Sequence, residues 1–321
     1  MLVESVPNVS EGRDEAVIDR LAAAISDTPG VHLLDRTSDP SHNRSVFTLA
    51  GDSEPVGNAL ERLVETAIDA IDMERHWGEH PRIGAVDVIP VVPLADTTMD
   101  DCVEIARHLG ERIATRFDIP VYLYARAATR SDRTKLADIR RGQYEGLKTE
   151  IGQRGREPDF GPSRMHPRFG AVAVGARPFL IAWNINLDTD DAEFARRVAR
   201  RVRESSGGLP ALQAKGFLIE ELGRAQVSMN LLDYTVTPLW LAWETVAEIA
   251  GADGIELHES ELIGLAPLAA LLAVADRAGA PDDDPVEERL AAGAAYIRLR
   301  DFSPLQALEL RLAATEAGPI A

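Results

Sequence analysis

The stretch most able to do chemistry is Gly78-Glu79-His80-Pro81-Arg82, which runs into Ile83-Gly84-Ala85-Val86-Asp87-Val88-Ile89-Pro90. An imidazole stands between a carboxylate and a proline–arginine pair, just ahead of an apolar run of strand type. Pro81 fixes its own φ and biases His80 toward extended backbone, so His80 belongs to a loop at the mouth of a strand and not to a helix. An imidazole so placed can move protons near neutral pH. The same five residues would also make an ordinary hydrogen-bonding loop, and their spacing leaves both readings open.

A second stretch is poorly explained by core packing. Within residues 157–177, Pro158, Gly161, Pro162, Pro167, Gly170 and Gly175 forbid a regular helix and predict a crossing between domains. A bland linker would be polar, whereas this one carries Phe160, Met165, His166 and Phe169. It reads either as a structured linker or as a segment lining something flat and aromatic. Arg44 and Arg82 are candidates for holding substrate carboxylates, because a guanidinium grips a carboxylate bidentately; surface ion pairs are the alternative. The single cysteine, Cys102, excludes an intrachain disulfide and a Cys-based zinc cluster, and no metal is expected. Cys102 lies in the helical pattern Asp101–Ala106 and reads as a buried structural thiol. Gly207-Gly208 lacks the spacing of a phosphate-binding loop, so dinucleotide binding is unsupported.

The elements that must position these residues follow from periodicity. Strand patterns cover Leu2–Val6, Val31–Leu34, Ser45–Leu49 and Val86–Val92, with a polar loop over Asp35–Arg44. Helical patterns cover Glu15–Ile25 and a segment from an N-cap at Ser53 to about Ile71. The order βαββαβ predicts two helices on one face of a four-stranded antiparallel sheet, the ferredoxin-like arrangement. Residues 97–150 add a helix at Met99–Phe117, a strand at Val121–Tyr124 and a helix containing Arg140–Glu145. The βαββαβ order returns with strands at Phe179–Ile185, Gly216–Ile219 and Gln226–Leu231, helices at Asp191–Arg203 and Thr237–Ile249, and a last strand either within Ile255–Ile263 or later, around Leu262–Leu265. Asp282-Asp283-Asp284-Pro285 opens a final helical stretch. The expected architecture is mixed α/β, with units at 1–177 and 178–321 and a ligand groove between them.

The chain of 321 residues carries a net charge of −18 and only three lysines, Lys135, Lys148 and Lys215. Such a surface argues against non-specific binding to nucleic acid or anionic membrane, both of which need basic patches. It reads as ordinary acidic solubility or, favoured here, as adaptation to high salt, where self-repulsion is screened. The N-terminus has no basic, apolar signal pattern, and no stretch has the ~18 apolar residues of a membrane span, so a soluble cytoplasmic protein is expected.

Six stretches together resemble the formiminotransferase family. They are Val6–Gly12, Asn43-Arg44-Ser45, Gly78–Asp87, Pro120–Tyr124, Pro158–Pro162 and Gln226–Leu231. The resemblance runs in order from about Leu2 to Leu272. It implies transfer of a formimidoyl group between N5 of tetrahydrofolate and the amino group of L-glutamate, giving N-formimidoyl-L-glutamate, in histidine degradation and one-carbon metabolism. It also implies His80 as the catalytic histidine and a homodimer. Folate, as co-substrate, is implied to contact Gly161, Pro162, Ser163, Arg164, Met165, His166, Pro167, Arg168, Phe169 and Gly170. The chain ends near the end of the family's transferase domain, so a separate cyclodeaminase is expected. Some members carry a carboxylate where this chain has Thr37; Asp35 and Asp39 flank that position, and either, or neither, assists His80.

The residues fit that chemistry independently. The attacking amine must be neutral, and His80 could accept its proton and return one to N5. Two alternatives stand beside this reading: a glutamate formyltransferase using 5-formyltetrahydrofolate, and a non-catalytic folate-binding protein. Repulsion among the surface carboxylates predicts that melting temperature and activity rise with potassium chloride into the molar range. A melting temperature that is flat or falling between low and molar salt would remove the salt-adaptation reading.

Overall fold

The computed structural model describes residues 1–317. The chain divides into two compact units, Met1–Arg177 and the remainder from Pro178. In the first, β1 (Leu2–Ser5) and β2 (Asn8–Val9) form one interrupted strand, broken at Val6-Pro7 because proline has no N–H to give a ladder. Helix α1 (Glu15–Ser26) starts at Asp14, whose side chain accepts from the amides of Ala16 and Val17, and buries Ile18, Leu21 and Ile25. Strands β3 (Val31–Asp39) and β4 (Arg44–Asp52) form a hairpin, and α2 (Ser53–Ala70) leads through a long loop to β5 (Val86–Pro93). The broken β1/β2 strand lies between β4 and β5, with β3 outside β4, all antiparallel. This is the ferredoxin-like strand order.

The sheet then continues further than the sequence suggests. After α3 (Met99–Phe117) come β6 (Val121–Ala125), the short α4 (Leu136–Ile139), α5 (Gln143–Glu150) and β7 (Val172–Ala176). Strand β7 pairs in parallel with β5 and β6, making a seven-stranded mixed sheet. The main core lies on the side of α1, α2 and α3, where Cys102 is fully buried. Burial, aided by Asp101, pushes its thiol pKa up to about 11, so it stays protonated and inert. A smaller core joins Val88, Tyr122, Tyr124 and Ala173 to Ile139 and Leu147, which fixes α4 and α5 on the other side.

The second unit repeats the pattern: β8 (Ile181–Leu187), α6 (Ala192–Val202), β9 (Leu212–Ile219), β10 (Arg224–Leu231), α7 (Leu239–Gly251) and β11 (Leu257–Ile263). Its antiparallel order β11-β8-β10-β9 is again ferredoxin-like, followed by α8 (Leu268–Arg277), α9 (Val286–Tyr296) and α10 (Leu308–Glu316). Its core is built around Trp183, Phe194, Val227 and Val246.

Three expectations are corrected. The polar stretch Asp35–Arg44 is mostly paired strand, with Thr37 opposite Val46 and Asp39 opposite Arg44, so only Pro40–Asn43 turn. Polar side chains concealed the pairing there. Residues 172–176 are a central strand and not a crossing, because Val172, Val174 and Ala176 are buried on the core side. Helix α2 starts from Asp52, one residue before the expected cap. Of the two ranges open for the last strand, the structure has the earlier one, β11 at Leu257–Ile263, where Arg300 meets the carboxylates of Glu259 (3.3 Å) and Glu261 (2.5 Å) that interrupt its apolar pattern.

One close approach holds the loop before β5 in place. A Cβ on Gly84 would lie 2.0 Å from the carbonyl oxygen of Ala171 and 2.8 Å from that of Phe169. Gly84→Ala is therefore expected to destabilise the protein by about 1–3 kcal/mol or more in urea unfolding. Gly146→Ala, where a Cβ meets nothing within 4 Å in helix α5, should be neutral or slightly stabilising. Equal midpoints for the two variants would contradict this packing.

Candidate active site

The site is assembled from loops at one end of the first sheet. After β2, the Ser10 hydroxyl donates to Gly84 O at 2.8 Å and its amide to Ala85 O at 2.8 Å, which ties the β2–α1 loop to the histidine loop. At the hairpin tip Asn43 has φ +48°, a left-handed conformation that asparagine tolerates. Its buried side chain accepts from Gly12 N at 3.0 Å and donates to Trp77 O at 2.9 Å, so one amide joins three loops. Side chains are excluded where these loops touch: a Cβ on Gly12 would lie 2.4 Å from Asp39 O, and one on Gly78 2.3 Å from His42 O.

His80 lies in this assembly, half-buried, with Nε2 2.8 Å from Arg44 Nη1. A guanidinium only donates, so Nε2 accepts and the neutral ring carries its proton on Nδ1. Arg44 Nη1 also donates to Asn8 Oδ1 at 3.1 Å, while its buried Nε has no hydrogen-bond partner. Burial, and then the nearby charge of Arg140, lower the Arg44 pKa, against the opposing pull of Asp39 and Asp87. Arg44 is thus a cation whose donors are only partly satisfied, as a site for an anionic group requires.

Arg82 is different. Its Nε donates to His76 Nδ1 (3.2 Å), Nη1 to Gln143 Oε1 (3.2 Å) and Glu145 Oε2 (3.0 Å), and Nη2 to His76 O (3.1 Å) and Glu145 Oε1 (2.7 Å). All five donors are engaged inside the protein, leaving none for the substrate carboxylate expected of it. The residue is a tie between the histidine loop and the start of α5. Asp87, nearly fully buried, accepts from Ile83 N at 2.7 Å and from Arg140 Nε at 2.9 Å, holding the same loop from below.

Of the two flanking acids, Asp39 turns to His42. Its Oδ1 accepts from the amides of Ser41 (2.8 Å) and His42 (2.9 Å), and its Oδ2 lies 2.6 Å from His42 Nδ1. Burial opposes ionisation of Asp39, but the His42 amide and ring with the Ser41 amide outweigh it and hold the carboxyl below its ordinary range. The His42 ring stands edge-on to that of His80, with centroids 6.4 Å apart.

The 161–170 segment is brought beside the histidine loop. Asp159, just before it, accepts from Leu123 N at 2.9 Å and Arg133 Nη1 at 2.5 Å. Residues 166–170 close a tight turn through paired His166–Gly170 backbone bonds, and Gly170 bridges Gly84. Phe169 is fully buried in the main core and cannot line a ligand, and Met165 packs against both cores of the unit. Gly161, Ser163, Arg164, Pro167 and Arg168 are exposed, Pro162 and His166 partly so, and Arg164 pairs with Asp118 at 2.5 Å. The flat aromatic surface lies elsewhere: Trp77, largely exposed, carries the Arg13 guanidinium 3.9 Å from its ring centroid. Sequence reading missed Trp77, His76 and Glu145, because only the folded loop shows what they touch.

Family comparison fits this geometry. The formiminotransferase domain, N-terminal subdomain, matches residues 2–177, and the formiminotransferase domain matches residues 182–278. The chain belongs to the formiminotransferase family. It is 46% identical over 275 residues to a glutamate formimidoyltransferase of Streptococcus pyogenes, covering 86% of this chain and 92% of that one. A glutamate formimidoyltransferase of Thermoplasma acidophilum is also 46% identical, with 85% and 91% covered. The formimidoyltransferase-cyclodeaminase of Sus scrofa is 44% identical over 84% of this chain and 51% of its own length.

Burial, reinforced by the Arg82 charge, lowers the His76 pKa from 6.5 despite its bond to Asn43 O. His166 is lowered chiefly by burial, with Arg164 and Arg168 adding to it against Asp118. A histidine with a depressed folded pKa contributes stability that is complete above its unfolded value and is lost as pH falls through the folded one. Acidification below about pH 6.5 should therefore weaken this unit by protonating the acceptor of Arg82 Nε. Imidazole proton NMR should show His76 and His166 titrating below free histidine; midpoints above it would contradict the assignment.

Proposed function

We propose that this chain transfers a formimidoyl group between N5 of tetrahydrofolate and the amino group of L-glutamate, with His80 moving the proton. The observation that carries the reading is the contact of His80 Nε2 with the incompletely satisfied Arg44, at the centre of the loops that the family match spans. A substrate carboxylate arriving at Arg44 supplies the missing acceptor and draws the guanidinium from His80, whose Nε2 then has a lone pair to offer. The neutral amine attacks the formimidoyl carbon, His80 takes the proton released as the new C–N bond forms, and a proton reaches N5 as the old C–N bond breaks. Arg82 positions the loop and does not bind substrate.

Ser163, Arg164 and Arg168 offer the folate polar and cationic groups on the exposed side of their segment, and Trp77 offers an aromatic face near His80. The resemblance supports a homodimer, a cytoplasmic location and a folate groove bounded by residues 161–170. Formimidoyl transfer is favoured over formyl transfer by the glutamate formimidoyltransferase relatives. A parallel assay of 5-formimidoyl- and 5-formyltetrahydrofolate as donors to glutamate tests this, and faster turnover of the formyl donor would reverse it.

His80→Ala should lower kcat by about 10²- to 10⁴-fold, the range of general acid–base catalysis, with folate affinity kept. Turnover and folate binding measured on one preparation decide the point. Near-normal turnover would make His80 a structural loop residue, and joint loss of affinity would make it a substrate-holding one.

A further inference from the structure

We infer that His42, held by Asp39, is a second proton-transfer residue of this site and supplies the proton that the departing nitrogen needs. The inference rests on the proposed group transfer and adds to it a donor distinct from His80.

The geometry has three parts. First, Asp39 Oδ2 lies 2.6 Å from His42 Nδ1, and a carboxylate can only accept, so Nδ1 carries a proton and exchange takes place at Nε2. Two backbone amides fix the Asp39 carboxylate through its other oxygen, so the ring is held by an already ordered partner. Second, the His42 side chain keeps 45% of its exposure, which leaves the ring open to solvent for reprotonation. Third, the His42 and His80 rings are 6.4 Å apart, centroid to centroid, and edge-on. Two nitrogens on one tetrahedral carbon are about 2.4 Å apart. With a ring nitrogen reaching about 2.6–3.2 Å to its target, each imidazole can serve one of the two nitrogens.

The proton count closes. His80 Nε2 accepts the proton of the attacking amine as the new C–N bond forms. His42, in the doubly protonated imidazolium form paired with Asp39, gives its Nε2 proton to N5 as the C–N5 bond breaks and that bond's electron pair returns to nitrogen, which leaves a neutral ring protonated on Nδ1. His42 then takes a proton from solvent and His80 loses one, with no other reactant consumed. Asp39 and His80 stand against His42, and Arg44 stands against His80.

The test compares wild type, His80→Ala, His42→Ala and Asp39→Asn in turnover of 5-formimidoyltetrahydrofolate with L-glutamate, each with and without free imidazole. His42→Ala is expected to lose about 10²-fold or more in kcat with little change in KM, and to regain activity as imidazole concentration rises. Asp39→Asn retains acceptors for the Ser41 and His42 amides but presents an N–H to His42 Nδ1, so it should lose kcat without imidazole rescue and with an unchanged melting temperature. His42→Ala turnover within about threefold of wild type would overturn the inference, as would a loss that imidazole does not restore. An inactive wild type, or an unaffected His80→Ala, would instead overturn the proposed function itself.

Discussion

A buried guanidinium needs five acceptors, and the shape of this site follows from where Arg82 finds them. The chain between α2 and β5 forms no helix and only one isolated bridge, so its backbone is not fixed by a ladder. It is fixed by His76, Gln143 and Glu145 closing around Arg82. Removing any one acceptor leaves a donor of a buried cation unsatisfied, which costs far more than an exposed ion pair contributes. The constraint spreads outward. His76, with one nitrogen accepting from Arg82, presents the other to Asn43 O, and Asn43 in turn holds Gly12 and Trp77. His80 and Arg44 sit inside this connected set, and their contact is a product of it.

Close packing of backbone does the rest. Gly12, Gly78 and Gly84 each stand where a Cβ would run into a carbonyl oxygen, so the three loops approach more closely than side chains permit. The sheet beneath them is rigid, with its strands buried on the side of α1, α2 and α3, and reactive groups carried on loops above a rigid frame are held without being part of the frame. Asp87 links the two levels, because it belongs to β5 yet accepts from Ile83 in the loop and from Arg140 before α5.

The electrostatics run against the molecule as a whole. The chain is strongly acidic, yet Arg13, Arg44, Arg82 and Arg140 gather at these loops. Local cations in an acidic surround focus attraction on the site and repel anions elsewhere. Glutamate and folate are both anionic, so the field and the proposed substrates agree in sign. Arg82 and Arg140 are neutralised internally by Glu145 and Asp87, which leaves Arg44 as the cation in most need of an anion.

The sequence by itself determined the repeated βαββαβ order and the burial of Cys102, and it singled out the His80 loop. Each of these depends on local periodicity or on residue types that act over a few positions: Pro81 acts on His80, and apolar spacing marks the helices. It also drew attention to 161–170, but the apolar character that marked Phe169 turned out to belong to the core. What only the tertiary structure decided is which polar groups meet. Arg44 and Arg82 look alike in sequence, and one is left with an unmet donor while the other has none to spare, because their partners lie 36 and 61–63 residues away. Strand β7 joined the first sheet for the same reason. Hydrogen bonds and parallel pairing are satisfied across the fold, and spacing along the chain carries no record of them.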